Sequence, residues 1–153
     1  MDFELSSRKR RFFASWIDGM ASIGLSKIGL LLFGLSNNEF LNNYMFDSFS
    51  LLVYTIFLII SIIVLDIVIP TYLWNGQTIG KKILGIKVVT DTGEDVDVKT
   101  MTIRSIFLLV SGINLPLIAD GMIVIYLIDS FMIFRRDKKT LHDVIAKTKV
   151  VYC

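Results

Sequence analysis

The sequence predicts an all-α membrane protein with two transmembrane helices, a short helical hairpin that either spans the bilayer or re-enters it, and a small cytoplasmic β element. Two observations support this fold class. Of the 153 residues, 54% are hydrophobic, and the mean hydropathy is +0.65. In addition, 15 of the 16 Lys and Arg residues flank long apolar runs, so the modest net charge of +2 conceals an uneven distribution.

The composition also excludes several classes of protein. Disorder requires few apolar residues and a high net charge, a disulfide scaffold requires paired cysteines, and nucleic-acid binding requires a strong basic excess. The chain meets none of these conditions. Its one His and one Cys argue against a zinc site and against a Cys/His nucleophilic pair. We therefore predict no enzymatic activity, no cofactor and no nucleic-acid partner.

The first predicted membrane helix runs from Phe12 to about Leu35, behind a basic cluster at residues 8–11. A cleaved signal peptide is the alternative, since it also begins with basic residues. The run is long for that role, however, contains Asp18 and Lys27, and lacks a small-x-small cleavage site. A retained membrane helix is therefore the preferred interpretation.

The second predicted membrane helix, Phe49 to Leu73, contains 25 residues with Asp66 as its one charge. At the helical rise it reaches about 37 Å, enough to cross a hydrocarbon core of about 30 Å. The loop 36–48 has no Lys or Arg, so the positive-inside rule places it outside. We thus expect a multi-pass protein of the bacterial inner membrane whose N-terminus is cytoplasmic.

The third apolar stretch, Ile103 to Phe134, has 32 residues, which is too long for one ordinary span and short for two. A single span would place the basic residues between Arg135 and Lys139 outside, against the positive-inside rule. A helical hairpin bent around residues 112–121 keeps them on the cytoplasmic side. We therefore predict a hairpin, spanning or re-entrant, followed by a cytoplasmic tail, 135–153.

An internal repeat supports this topology. Residues 77–89 and 139–151 resemble each other at a constant offset of 62, and each joins a short amphipathic helical turn to a Lys-Val-Val strand. Each follows an apolar region that begins with an Arg at the membrane edge, Arg11 in one half and Arg104 in the other. The sequence thus predicts a duplicated unit of Arg, membrane hairpin, amphipathic turn and strand.

The cytoplasmic loop between the two halves, 75–102, is predicted to contain a β-hairpin. The apolar segments 83–89 and 96–98 flank the turn sequence Asp91-Thr-Gly-Glu94. Because two strands alone are marginally stable, we expect the terminal strand 148–152 to pair with this hairpin. Basic side chains beside these elements are expected to attract lipid headgroups; they are Lys81, Lys82, Lys138 and Lys139.

Three motifs in order resemble a known family across nearly the whole chain. They are Arg11-Phe-Phe-Ala-Ser-Trp-Ile-Asp18, then Gly76-Gln-Thr-Ile-Gly-Lys81 with Gly85-Ile-Lys-Val88, and finally Leu141-His-Asp143 followed by Thr148-Lys-Val-Val151. The chain is similar to the RDD family of small bacterial membrane proteins, as a single domain, 1–153. One departure is Lys147, where the family commonly has Gly before the last strand.

The resemblance implies a membrane fold more clearly than it implies an activity. The family is named for one Arg and two Asp, which here would be Arg11, Asp18 and Asp143. Its members have a suspected transport role, and some look like sodium/proton antiporters. From the residues themselves we expect Asp143 to brace the last strand against Arg135 or Arg136, and His142 to be an interfacial side chain.

Acidic residues inside the apolar stretches are the candidate functional residues. At the helical rise, Asp18, Asp66 and Asp129 lie about 9 to 12 Å from the inner apolar edge. Charges at that depth are costly unless paired or hydrated, so we expect them to face the bundle interior. Clustered carboxylates could exchange a proton for sodium or another hard cation, with Asp120 toward the outer end of the path.

A structural role for these acids is the alternative. Asp18 has Arg11 two helical turns away on the same face and Arg104 as a second candidate partner. Asp66 and Asp129 could instead cap or hydrogen-bond neighbouring helices.

Two hypotheses about function therefore follow. The first is transport of ions or small solutes, coupled to H⁺ or Na⁺, through the intramembrane carboxylates. The second is a non-transporting adaptor or assembly factor that binds a membrane or cytoplasmic protein through the β-hairpin and tail. Small residues spaced along the first helix predict close helix contact, within the bundle or in a homo-oligomer; they are Gly19, Ser22, Ser26 and Gly29.

Overall fold

The computed structural model describes residues 4–34, 48–111, 128–129, 131–132 and 139–153. The fold is mainly helical, with one two-stranded sheet. Its elements in chain order are α1 Arg8–Leu32, α2 Ser48–Ile62 continued by a π-helix Ile63–Leu73, α3 Ile79–Ile83, β1 Ile86–Thr90, α4 Val98–Ser111, α5 Leu141–Ile145 and β2 Thr148–Tyr152. The predicted combination of helices with a small β element is therefore present.

Helix α1 begins four residues before the predicted start because Ser7 caps it. The Ser7 side chain accepts a hydrogen bond from the Arg10 backbone N–H at 3.4 Å. The helix ends at Leu32, and Gly34 follows with a φ of +68°. Its 25 residues are long enough to span a bilayer, but crossing by α1 stays a prediction.

The predicted small-residue contact on α1 is confirmed within the chain for three of its four members. Ser22, Ser26 and Gly29 are buried, whereas Gly19 is exposed. The Ser61 hydroxyl donates a hydrogen bond to the Ser22 carbonyl at 3.2 Å. A Cβ at Gly29 would come within 2.2 Å of the Phe57 ring. Small side chains therefore let α1 and α2 approach closely.

The second helical segment matches the prediction. Residues Phe49–Leu73 form one continuous helical stretch. Among the helices that the structure describes, this one is long and apolar enough to cross a membrane. Pro70 lies in its π-helical part, where the missing N–H of proline would break the regular α-helical ladder. The widened turns remain hydrogen-bonded, since the Trp74 N–H donates to the Ile69 carbonyl at 3.1 Å. Asp66 is buried in this π-helical part.

The predicted β-hairpin is wrong, but the pairing with the terminal strand is confirmed. Strand β1 pairs antiparallel with β2, and residues 94–97 form no strand. Asp97 instead accepts a hydrogen bond from the Thr100 N–H at 2.8 Å, as a helix cap does, and α4 begins at Val98. Val96 contributes to the hydrophobic core rather than to a ribbon. The helix cap at Asp97 thus outweighs the alternating apolar pattern of residues 96–98, and the chain forms a helix instead of a strand.

The internal repeat is present in the structure with the predicted offset. Helices α3 and α5 have equal lengths, as do strands β1 and β2, and each pair is related by 62 positions. In the sheet, Val88 lies opposite Val150, and Val150 is also the residue that corresponds to Val88 in the repeat. The two turn-and-strand units are therefore related by an approximate two-fold axis through the centre of the sheet.

The segment before α1 joins the same sheet. Leu5 forms a β-bridge with Val151, and the Ser6 N–H donates to the Val150 carbonyl at 3.0 Å. The start of α1 and both strands are consequently held together in one layer. Its core includes Ile86, Val88 and Val150 from the sheet, together with Ala14, Ile67, Val96 and Met101.

The third apolar stretch is described only in part. Helix α4 begins at Val98, before the predicted start at Ile103, and continues to Ser111. The bend predicted at 112–121 lies outside the described residues, as do Asp120, Arg135, Arg136 and Lys138. The hairpin over 103–134 therefore stays a prediction.

Replacing Lys147 with Gly is expected to stabilise the protein by about 0.5 to 1 kcal/mol. Lys147 has a φ of +52°, and its repeat equivalent, Gly85, has a φ of +63°. A side chain in this left-handed region costs about 1 kcal/mol, and glycine removes that cost while loosening the unfolded chain slightly. The measurement is the midpoint of thermal unfolding in detergent.

The matched control is Lys147→Ala, which removes the charge but keeps the strained side chain. Gly85→Ala is the reciprocal test, since the nearest atom to a Cβ there, Arg10 Nη1, is 3.9 Å away and space is not limiting. It should lower the midpoint. If Lys147→Ala raises the midpoint as much as Lys147→Gly, the backbone conformation is not the cause.

Candidate functional site

Asp18 on α1 binds the beginning of α3. Its carboxylate accepts hydrogen bonds from the Gly80 backbone N–H at 2.7 Å, the Thr78 hydroxyl at 2.5 Å and the Lys81 ammonium at 3.3 Å. The predicted pairing of Asp18 with Arg11 or Arg104 is therefore wrong, because Lys81 of α3 is the cation that binds this carboxylate. The acid both pairs a buried lysine and satisfies an N–H group that the short helix leaves unbonded.

Asp143 on α5 is the centre of a second buried network. It is fully buried, and its two carboxylate oxygens bind the guanidinium groups of Arg11 and Arg104. The same carboxylate closes a capping box with Thr140. Arg135 and Arg136, the predicted partners, are outside the described residues. Although burial alone would raise the pKa of Asp143, the charges of Arg104, His142 and Arg11 hold it well below its usual range.

Asp129 binds His142 twice. Its carboxylate accepts a hydrogen bond from the His142 backbone N–H at 3.0 Å and contacts the ring Nδ1 at 2.8 Å. The histidine is therefore a half-buried bonded group, and its location at the membrane interface stays a prediction. The contact joins the third apolar stretch to α5.

The two short helices, α3 and α5, are bound in the same way at their second residue and carry opposite charges at their third. Asp18 accepts from the N–H of Gly80, and Asp129 accepts from the N–H of His142, which is its repeat equivalent. At the next position Lys81 in α3 corresponds to Asp143 in α5. Helix α1 carries the complementary charges, so one helix binds both repeat units. The sequence offset contained this signal, since it aligns Lys81 with Asp143.

The expected lipid-headgroup role changes for two of the lysines. Lys81 is 9% exposed and paired with Asp18, so it is not a headgroup ligand. Lys139 contacts Asp91 at 2.5 Å. For Lys82 the headgroup role stays a prediction; its ammonium lies 4.0 Å from the centre of the Trp74 ring.

Asp66 differs from the other acids. It is 8% exposed, yet in the part of the chain that the structure describes it has no hydrogen bond and no ion pair. Lys81, Asp18 and Arg104 are near enough to act on it electrostatically, but none makes contact. A carboxylate removed from water without a partner is costly, so this position is the unusual one in the site.

One cavity of about 500 Å³ brings the predicted residues together. Asp18, Asp66 and Asp129 all line it, as do Arg11 and Arg104. Asp120, predicted at the outer end, lies outside the described residues. The acids surround the cavity rather than forming a cluster, since the described residues contain no group of three His, Cys, Asp or Glu side chains suited to a metal ion.

The cavity wall changes character along the helices. On each of the three long helices a charged residue near the short helices is followed, farther along the helix, by an apolar residue: Asp18 and Ile23, Asp66 and Leu58, and Arg104 and Leu108. The cavity therefore has a charged end beside α3 and α5 and an apolar end deeper in the bundle.

Comparison with known proteins gives a family but no described activity. The model of the RDD family matches residues 5–147. The uncharacterized protein YckC of Bacillus subtilis is 35% identical over 104 residues, which cover 64% of this chain and 61% of the relative. The uncharacterized protein YxaI of the same organism is 44% identical over 75 residues, covering 49% and 42%. The chain thus spans about half the length of these relatives, and no solved structure matches it.

Proposed function

We propose, from the premise that this chain belongs to the RDD family, that it is an integral membrane protein that exchanges protons for a cation or small solute. Family membership and the apolar helix 49–73 indicate a membrane protein. In the proposed mechanism Asp66 is the group that carries the proton.

The observation that carries this proposal is the state of Asp66. The other two acids that line the cavity have partners, since Asp18 binds Lys81 and Asp129 binds His142. Asp143, which is not among the lining residues, binds two arginines that are. Paired carboxylates hold the fold together and are poor candidates for exchange, because breaking a buried pair costs several kcal/mol. Asp66 is buried at the cavity surface without such a partner, so gaining a proton or a cation relieves its desolvation.

The contacts of the termini support the predicted orientation. The segment at residues 4–6, strand β1 and strand β2 are hydrogen-bonded to one another. Groups joined in this way lie on one side of a bilayer, which favours an even number of crossings both before β1 and between β1 and β2. This agrees with a multi-pass protein whose two termini are cytoplasmic, in the inner membrane of a bacterial cell. Alkaline phosphatase fusions at Cys153 test it, and an active fusion contradicts the topology.

Replacing Asp66 with Asn is expected to abolish proton-coupled flux. The amide has nearly the shape of the carboxylate but cannot take up and release a proton, so the exchange cycle stops. Proteoliposomes that contain a pH-sensitive dye should respond to a sodium or solute gradient with the unaltered protein, and the Asp66→Asn variant should give less than a tenth of that rate.

Asp95→Asn is the matched control, because Asp95 is an exposed carboxylate away from the cavity and its loss should leave the flux unchanged. Equal flux from wild type and Asp66→Asn removes Asp66 from the mechanism. No flux from any preparation, together with a stoichiometric crosslinked partner that is lost when residues 93–98 are deleted, favours the adaptor function instead.

A further inference from the structure

We infer that the cavity binds an organic cation with an apolar body, such as a substituted ammonium, with its charge beside Asp66 and its body at the deep end. This inference rests on the proposed role of Asp66 and names the class of its ligand. It is carried by the unpaired carboxylate, by the size of the cavity and by the change in character of its wall.

The size of the cavity favours a molecule over a bare metal ion. A volume of about 500 Å³ falls in the range of roughly 300 to 1,000 Å³ typical of small-molecule sites. Hard cations require several converging oxygen ligands. Asp18, Asp66 and Asp129 line the cavity, but no three acidic, His or Cys side chains among the described residues are grouped so that they could hold a metal ion. Asp18 and Asp129 are in addition bonded to Lys81 and His142.

The wall beside Asp66 has the composition that an amphiphilic cation needs. Ile62 and Leu58 lie about one and two turns from Asp66 on the same helical face, and all three line the cavity. Phe107 and Leu108 line the same cavity from α4. A ligand whose charge contacts Asp66 therefore places its remaining atoms against apolar side chains, where burial of apolar surface stabilises binding.

The charges around the cavity favour a cation in preference to an anion. Arg11, Arg104 and Lys81 line the charged end, but Asp143 binds the two arginines and Asp18 binds the lysine. An anion would have to displace these carboxylates. A cation meets Asp66, whose charge none of these groups neutralises by contact.

Binding of benzyltrimethylammonium to the full chain in lipid nanodiscs tests the inference. This probe carries a permanent charge and an aromatic body, and neopentylbenzene is its uncharged counterpart of nearly the same shape. Trp16 lines the cavity, so its fluorescence can report binding. We expect saturable binding of the cation, at least tenfold weaker binding of neopentylbenzene, and at least a tenfold loss of cation affinity in Asp66→Asn. Acidification should weaken binding, because protons compete for Asp66.

A second variant separates the charged end from the apolar end. Leu58→Trp should fill the deep end, weakening benzyltrimethylammonium at least tenfold while leaving tetramethylammonium little changed. Equal binding of the cation and neopentylbenzene, no binding of the cation, or equal affinity in wild type and Asp66→Asn would each overturn the inference.

The outcomes also distinguish this inference from the proposed function. Sodium-driven flux that requires Asp66, without binding of benzyltrimethylammonium, overturns the ligand class and leaves proton-coupled transport intact. Binding that requires Asp66, without flux of any kind, supports the ligand site and removes transport.

Discussion

Replacing Asp143 with Asn is expected to cost about 3 to 5 kcal/mol of folding free energy, which is enough to unfold a marginally stable protein. The amide keeps the shape of the side chain and can still accept hydrogen bonds from Thr140. It cannot balance the charges of Arg11 and Arg104, which are 6% and 8% exposed and share this carboxylate. Two guanidinium groups would then repel each other in a region with little water. The measurement is the unfolding midpoint in detergent, supported by the yield of monodisperse protein.

The pH range of this effect follows from the depressed pKa of Asp143. A carboxylate whose pKa is lower in the folded state stabilises the fold above its unfolded pKa of about 3.9, and the stabilisation is lost as the pH falls toward the folded value. The unfolding midpoints of wild type and Asp143→Asn should therefore be compared at neutral pH, where the wild-type network is fully charged.

A matched control is Asp91→Asn, which removes the same charge from the exposed pair with Lys139 and should cost less than about 1 kcal/mol. Adding Arg104→Gln to Asp143→Asn should cost less than the sum of the single changes, because it removes one of the two repelling charges. Strictly additive costs would mean that Asp143 acts through its cap and packing alone.

The prediction of a long apolar helix is confirmed where the signal was one of length and charge spacing. Residues 49–73 form a helix with the predicted bounds because a mainly apolar run of 25 residues is bordered by polar sequence, a pattern that few other structures satisfy. The offset of the internal repeat was also visible in the sequence. Its structural meaning, two strands that pair with Val88 opposite Val150, could not be predicted, since a repeat does not specify how its copies meet.

The partners of the charged residues could not be read from local spacing. Arg11 and Asp18 share a helical face, which suggested that they pair with each other. In the structure each binds the third residue of a different short helix, Asp143 and Lys81 respectively. Which residue each one binds is therefore set by how the two repeat units pack on α1, which is a tertiary property. The β-hairpin prediction failed for a related reason. Asp97 serves as a helix cap, and the strand that pairs with β1 is distant in sequence.

Replacing Gly80 with Ala is expected to cost about 3 kcal/mol, although alanine is the better helix former. A Cβ at this position would lie 2.2 Å from the carbonyl oxygen of Ala14 and 2.9 Å from its carbonyl carbon. Backbone atoms cannot rotate away as a side chain can, so α3 must move off α1. That movement also lengthens the 2.7 Å hydrogen bond from the Gly80 N–H to Asp18 and loosens the Lys81 pair.

A control and a rescue test check whether backbone contact is the cause. Gly24 is also helical, and a Cβ there meets nothing within 4 Å, so Gly24→Ala should be neutral or stabilise by up to about 1 kcal/mol. Both variants are compared by their unfolding midpoints in the same detergent. Adding Ala14→Gly to Gly80→Ala should not restore stability, since the obstructing atom is the Ala14 carbonyl oxygen, which glycine retains. Recovery in the double variant would mean that the two side chains crowd each other and that α3 does not rest on the backbone of α1.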